Sequence, residues 1–342
     1  MTDFKNITKK TCYVIAEIGL NHNGSIELAK ELILIAKEAG CDAVKFQKRD
    51  VDNLATKETL DSKDDRFPSF GDTYRKIREF LEFDKEEYLT LKLFAEKQDI
   101  DFIVTAFDIN SFNFLKDIGV KTIKIASHSL TNLDLLEYIS KNNFTSILST
   151  GMAEVAEIDA AVEIFKKNNC FLCLLHCVSS YPTPPEECNL ELINYLKKRY
   201  NLITGYSGHE LGFFPTLIAV SMGASIVERH ITTNNKLEGF DHKLSLEPGQ
   251  LSEMVKKIRE IEIIRGGDSK QVSEAEKITR CKYHVSMTSN QKLYKGQILD
   301  KSMISFKNPG TGIPPKKANN FYGKKINQDI ENSKLILPDM FD

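Results

Sequence analysis

The sequence predicts an α/β chain, a (β/α)8 TIM barrel followed by a small β-rich unit. Three observations carry this expectation. Short β-rich runs alternate with amphipathic helical runs from residue 11 onward, eight such strands fit before residue 265, and the alternation stops there. Alternation of this kind gives parallel strands with crossover helices, and eight closed βα units place functional groups where the strands end. A doubly wound open sheet is the alternative, but its G-x-G-x-x-G turn is missing after the first strand.

The predicted strands cover 11–19, 42–47, 101–107, 122–127, 146–151, 171–177, 202–207 and 225–232. The first helix lies in SIELAKELILIAKEAG, with Ser25 as N-cap, apolar positions at 28, 32, 35, 36 and 39, and Gly40 as its stop. Further helices are expected over 84–98, 153–168, 189–198, 213–222 and 248–264. The polar stretch KRDVDNLATKETLDSKDDRFPSFGDTY, after the second strand, reads as a lid over the strand ends or as a mobile surface loop. Residues 1–265 therefore read as the barrel, 266–281 as a linker that loses apolar periodicity, and 282–342 as a separate β-rich unit containing KNPGTGIPPKK.

The chain has 342 residues, 41% of them hydrophobic, enough for a sizeable core. Its formal charge of −2, from 46 basic and 48 acidic residues, gives no bulk attraction to nucleic acid or an anionic membrane. An anionic ligand must therefore be held by a local site. The first ten residues, MTDFKNITKK, lead into no apolar signal segment, and no run approaches the ~18 apolar residues of a membrane span, which reads as cytoplasmic. Seven cysteines, with Cys170, Cys173, Cys177 and Cys188 clustered, suit reduced thiols better than a disulfide framework. Residues 173, 175 and 177 share one face of an apolar strand, which favours buried thiols over zinc ligands.

The strand ends present Glu17, Lys45 with Gln47, Thr105, Ser127, Ser149, His176 with Ser179, Ser207 with His209, and His230. A lysine inside the apolar DAVKF is costly to bury without a compensating anion, and Lys124 in TIKIAS repeats the argument. With the hydroxyls, these lysines suit a small, multiply charged anion; pairing with barrel glutamates or a Schiff base are the other readings. His209 and His230, at adjacent strand ends, are candidate ligands to a divalent metal completed by water or substrate. Glu17, and the loop EGFDHKLSLEP with Asp241 and His242, are expected at the same mouth.

AEIGLNHNG, VKFQ, STGM, HCVSSYPTPPE, GYSGHELG, ERHIT and DHKLSLEP occur in order along the chain, and together they resemble the N-acetylneuraminate (sialic acid) synthase family, including its legionaminate and pseudaminate synthase relatives. The C-terminal segment resembles that family's antifreeze-like (SAF) domain. The resemblance implies a TIM barrel that joins phosphoenolpyruvate to an N-acetylmannosamine-type sugar, giving a nine-carbon 2-keto acid and phosphate. It implies a divalent metal, commonly manganese with magnesium or cobalt as alternatives, on His209 and His230. It implies Lys45, Thr105, Lys124, Ser127, Ser149 and Ser207 on phosphoenolpyruvate, with Ser179 where some members have asparagine. Gln47, Tyr181 and Asp241 would face the sugar, and Glu17 would be the catalytic acidic residue. It also implies a homodimer in which each SAF domain covers its partner's barrel mouth.

Two departures bear on the acceptor. Ser127-His128-Ser129 stands where many members have Ser-Gly-Glu or Ser-Gly-Asp, and Asn308 stands at the place of an arginine that reaches the sugar's acetamido group. YSGHE and ERHIT are similar to synthases that accept 6-phosphorylated sugars, so a phosphorylated or diacetamido hexose is an alternative acceptor. Outside this class stand a metal-dependent barrel hydrolase, disfavoured because EIGLNHN offers a single His22 rather than H-x-H, and a non-catalytic sugar-acid or ice-binding protein, which would not need a metal pair beside lysines.

Overall fold

The computed structural model describes residues 11–267 and 269–342; the MTDFKNITKK stretch lies outside them. Eight parallel strands close into a barrel in sequence order: β1 (Tyr13–Gly19), β2 (Ala43–Lys48), β3 (Asp101–Ala106), β4 (Thr122–Ile125), β5 (Thr145–Ser149), β6 (Leu172–Cys177), β7 (Ile203–Gly208) and β8 (Ile226–His230), with β8 pairing back onto β1. Each lies where the sequence places it, one to two residues shorter or shifted at most ends, because loop entry begins before the apolar run is exhausted.

The crossover helices are α1 (Ile26–Glu38), α2 (Val51–Leu54), α3 (Lys57–Leu60), α4 (Tyr74–Leu81), α5 (Lys85–Lys97), α6 (Ile109–Asp117), α7 (Leu133–Lys141), α8 (Val155–Lys167), α9 (Glu191–Tyr200), α10 (Phe214–Ser221) and α11 (Pro248–Arg265). Ser25 caps α1 by accepting from the Leu28 amide, and Ala29, Leu32, Ile33 and Ala36 bury the stripe that faces the sheet. Helices α6 and α7 were not expected from the sequence. They are nine residues each, too short to show sustained periodicity, and each is set by a side-chain cap, from Asp108 and Asn132 respectively.

Strand alternation sorts the barrel interior into layers. Tyr13, Ile15, Ala43, Ile103, Ile147, Cys173, Leu175 and Ile226 form an apolar floor. Two residues further along the same strands stand Glu17, Lys45, Thr105, Ser149, Cys177 and Glu228. Intervening residues such as Val14, Val44, Val104, Leu174 and Val227 join the core beneath the helices. Cys173 thus belongs to the floor, where burial pushes its thiol well above the ordinary range, and every cysteine is unpaired. Among the described residues no group of His, Cys, Asp and Glu forms a protein-only metal site, and no helix is long and apolar enough to cross a membrane.

The polar stretch after β2 carries regular structure. It contains α2 and α3 and leads into α4, and Phe67 and Phe70 pack with Leu20, Ile77, Leu81 and Phe240 in a small core of their own. Ser69 adds a hydrogen bond to Glu238 at 2.6 Å, and the segment forms a wall beside the barrel mouth.

Contacts divide the chain at Gly266/Gly267. In the second unit, α12 (Glu274–Tyr283) begins within the stretch 266–281 read as a linker and ends two residues beyond it. None of its residues is buried, which explains its missing apolar stripe, and a Ser273/Glu276 capping box starts it. Beyond it, β9 (Ser286–Ser289) and β10 (Ile304–Lys307) pair antiparallel over a second core that includes Met287, Leu293, Ile313, Ile326 and Ile336.

Behind the barrel wall, the fully buried Arg229 reaches Glu210 Oε1 at 2.7 Å and the Glu210 backbone carbonyl at 2.7 Å. The pair ties the end of β7 to β8, and its members are the chain neighbours of His209 and His230. Glu210→Ala leaves a buried guanidinium without its carboxylate and is expected to cost about 3–5 kcal/mol. Denaturant unfolding checks this; a loss under about 1 kcal/mol, the size of a surface pair, would show that the tie carries no load.

Candidate active site

The C-terminal ends of the strands surround a cavity of about 320 Å³. Thirteen of the residues singled out from the sequence line it: Glu17, Lys45, Gln47, Thr105, Lys124, Ser127, Ser149, Ser179, Tyr181, Ser207, His209, His230 and Asp241. Register explains much of the convergence, because Glu17 is opposite both Lys45 and His230, Gln47 is opposite Thr105, and Thr105 is opposite Lys124.

Lys45 is the hub. Its ammonium lies 2.7 Å from Glu17 Oε2 and 3.6 Å from Glu228 Oε1, and it donates to Thr105 Oγ1 at 3.0 Å. Burial works to lower its pKa, but the two carboxylates overcome that and leave it above the ordinary lysine value. Glu17 also accepts from Gln47 Nε2 at 2.5 Å. Burial would push the Glu228 carboxyl up; Lys124, Lys45 and His230 outweigh it and hold Glu228 well below the usual carboxylate range.

Glu228 was missed in the sequence. The signal was available, since the glutamate in SIVERHIT shares the inward parity of His230. Of the earlier readings of the two lysines, pairing with barrel glutamates is correct for Lys45. Lys124 differs: it donates to Ser149 Oγ at 2.6 Å and to the Ile125 carbonyl at 3.2 Å, and has no ion pair among the described residues. Burial, reinforced by the Lys45 charge, lowers its pKa. A buried ammonium in that state favours any anion that enters.

The imidazoles fit a divalent cation. His209 Nδ1 meets the Val178 carbonyl at 2.9 Å, which places the proton on Nδ1 and leaves Nε2 as a lone-pair donor. His230 Nδ1 is buried without a hydrogen-bond partner, with Asp241 Oδ2 3.7 Å away. The ring centroids are 5.5 Å apart, within reach of one cation at metal–nitrogen bonds of roughly 2.0–2.1 Å. Burial holds both imidazoles below their ordinary pKa and so in the neutral, ligating form. The Tyr181 ring packs against His209 in a tilted arrangement, centroids 4.2 Å apart. Gly151 lets Ser127 and Ser179 approach closely: a Cβ there would collide with both hydroxyls, and the Gly151 amide donates to Ser127 Oγ at 2.9 Å.

Three further histidines of the barrel lie elsewhere. His176, expected at the mouth, faces outward, because its odd offset from Cys177 turns it to the helix side, where Nε2 bonds the Cys188 carbonyl at 2.7 Å. His242, also expected there, is buried between Thr232 Oγ1 at 2.7 Å and Asn23 Oδ1 at 3.1 Å, so of Asp241 and His242 only Asp241 lines the cavity. His22 is stacked on Phe83 at 4.2 Å outside the cavity lining, which removes the histidine a barrel hydrolase would need there. Arg49, Arg78, Phe107, His128 and Phe240 line the cavity without having been singled out as contacts.

The fold and site define a class first: a (β/α)8 enzyme whose strand ends gather two buried lysines and several hydroxyls beside an imidazole pair suited to a divalent metal. The chain belongs to the NeuB family, whose model matches residues 32–270. It is 35% identical to the N,N'-diacetyllegionaminic acid synthase of Legionella pneumophila, over 96% of this chain and 94% of the relative. It is 34% identical to the N-acetylneuraminate-9-phosphate synthase of Homo sapiens, over 97% and 93%. The crystal structure of an N-acetylneuraminic acid (sialic acid) synthetase from Leptospira borgpetersenii serovar Hardjo-bovis, in complex with citrate, superposes with a TM-score of 0.72 at 36% identity, covering 81% of this chain and 94% of that one.

Sorting the histidines yields a pH prediction. Burial lowers His22 from 6.5 to about 3, so the unfolded chain takes up its proton first. The stability this group contributes is full above pH 6.5 and is lost as pH falls toward 3, at on the order of 1.4 kcal/mol per pH unit. His22→Phe is expected to flatten the acid limb of stability against pH by about one proton; an unaltered slope contradicts the assignment.

Proposed function

We propose that this protein condenses phosphoenolpyruvate with an acetamido-hexose, N-acetylmannosamine or a relative, giving a nine-carbon 2-keto sugar acid and inorganic phosphate. The observation that carries the reading is one cavity in which Lys45 and Lys124, with the hydroxyls of Thr105 and Ser149, stand beside a neutral imidazole pair. Lys45, Lys124 and the hydroxyls of Thr105, Ser127, Ser149 and Ser207 clasp the enol phosphate and carboxylate through charge-assisted hydrogen bonds fixed before substrate arrives. Gln47, Tyr181 and Asp241 orient the sugar, and Ser179, whose Oγ is buried without a partner, offers a further donor.

His209 and His230 hold the divalent cation, manganese in this reading, which when bound supplies Lewis-acid polarisation of the acceptor aldehyde. C3 of phosphoenolpyruvate forms the new bond to the aldehyde carbon, whose oxygen becomes a hydroxyl. Water adds at C2, and phosphate leaves by C–O cleavage. Glu17, whose Oε2 lies 2.7 Å from Lys45 Nζ, orients that water and takes its proton. The reading extends to residues 282–342 as an antifreeze-like (SAF) domain, to a homodimer and to the cytoplasm.

Incubation with phosphoenolpyruvate, manganese and a panel of acetamido-hexoses is expected to release phosphate, and EDTA to abolish the release. Absence of phosphate with every acceptor overturns the synthase reading. Separately, His230→Ala is expected to stay folded by circular dichroism and to lose at least ~10-fold in manganese affinity by calorimetric titration; undiminished affinity counts against His230 as a ligand.

A further inference from the structure

We propose that Arg49 and Arg78 form a second anion seat in the same cavity, which recognises a phosphate monoester or carboxylate on the acceptor sugar at the end remote from its aldehyde. The inference rests on the synthase reading above and specifies its acceptor.

Position is the first argument. Lys45, Gln47 and Arg49 follow one another at period-two spacing, which carries the backbone on the order of 13 Å from Lys45 out to Arg49. Arg49 therefore stands beyond the phosphoenolpyruvate seat and beyond Gln47. Arg78 enters from α4, in the wall beside the mouth, and both line the cavity.

Unused bonding capacity is the second. Arg49 is 7% exposed, yet its Nη1 has no hydrogen-bond acceptor. Glu82 Oε1 lies 3.9 Å from it, beyond hydrogen-bond distance and itself without a partner, while Glu82 Oε2 pairs with Lys48 at 3.0 Å. Arg49 Nη2 donates to Gln47 Oε1, and the guanidinium lies on the Phe107 ring at 3.8 Å. Arg78 has no ion pair among the described residues, and its Nε is buried without a partner. Its guanidinium lies 4.2 Å from the Phe240 centroid and 4.9 Å from that of Tyr74.

Packing alone does not account for this arrangement. Stacked arginines elsewhere turn their N–H groups to water, whereas here donors of two like charges are held out of it. Burial first and the Arg78 charge second hold the Arg49 pKa down to about 10. An acidic group between them would relieve the repulsion and fill the free donors, and the planar fork of a guanidinium matches phosphate and carboxylate oxygens. His128, kept neutral by burial and by both arginines, completes this side of the cavity as a neutral hydrogen-bonding group.

The test compares 2-acetamido-hexose acceptors that differ only at carbon 6, carrying a hydroxyl, a methyl ether, a carboxylate or a phosphate monoester. An acidic acceptor is expected to exceed the neutral ones in kcat/KM by at least roughly tenfold, mainly through KM, and the better of the two acids identifies the group. Arg78→Gln and Arg49→Gln should each shrink that preference roughly 10–100-fold, and Arg78→Lys should restore part of it. Equal turnover of neutral and acidic acceptors overturns the inference and leaves the synthase reading standing. So does a rise in the KM for phosphoenolpyruvate that is the same with every acceptor, because the arginines would then serve the other seat. If no acceptor releases phosphate, the synthase reading fails. Titration of the hydroxyl and 6-phosphate sugars into the protein without phosphoenolpyruvate then decides the seat alone: tighter phosphate binding that Arg78→Gln removes supports it, and equal affinity overturns it.

Discussion

The site is organised by a buried ammonium between two carboxylates. Lys45 sits between Glu17 and Glu228, three strands wide across β8, β1 and β2, with all three side chains almost fully buried. Removing such charges from water costs several kcal/mol per ion, and a cluster of this kind survives only when each member is compensated. Here compensation is nearly complete, and Lys124 is the remainder: it neighbours Glu228 without a close ion pair. Lys45 thus has two carboxylates close to it, whereas Lys124 feels Glu228 only at longer range and has no close anion, and that is where an incoming dianion gains most.

The barrel's packing makes this cluster possible. The apolar floor seals the interior from below, so the charged layer is reached only from the strand ends. Alternation along each strand then decides which polar side chains meet. Outside the wall, Arg229 and Glu210 form a second buried ion pair at the opposite parity, which fixes the spacing of the two strand ends that carry His209 and His230. One pair lies in the cavity, while the other lies behind it, beside the imidazoles in sequence.

The strands and the inward-facing polar groups were legible in the sequence because both depend on a period of two. What failed depended on something else. Glu228 was overlooked because it lies between an apolar run and a more conspicuous histidine, although its parity with His230 placed it inside. His176 and His242 were assigned to the mouth by proximity in sequence; parity excludes the first, and a loop turn that buries the second against Asn23 is not encoded in any local pattern. Arg78 lies on a short helix inside a segment whose polarity hid it, since α4 buries only Ile77 and Leu81. Arg49 sits one residue past the strand, where alternation is no longer assured.

A crystal structure of the protein with phosphoenolpyruvate and manganese tests the central claim most directly. The account predicts anionic oxygens of phosphoenolpyruvate within hydrogen-bond distance of both Lys45 Nζ and Lys124 Nζ, with its C3 facing the cation on His209 and His230. Phosphoenolpyruvate bound elsewhere, or Lys124 left without an anion while the ligand occupies the cavity, would contradict it.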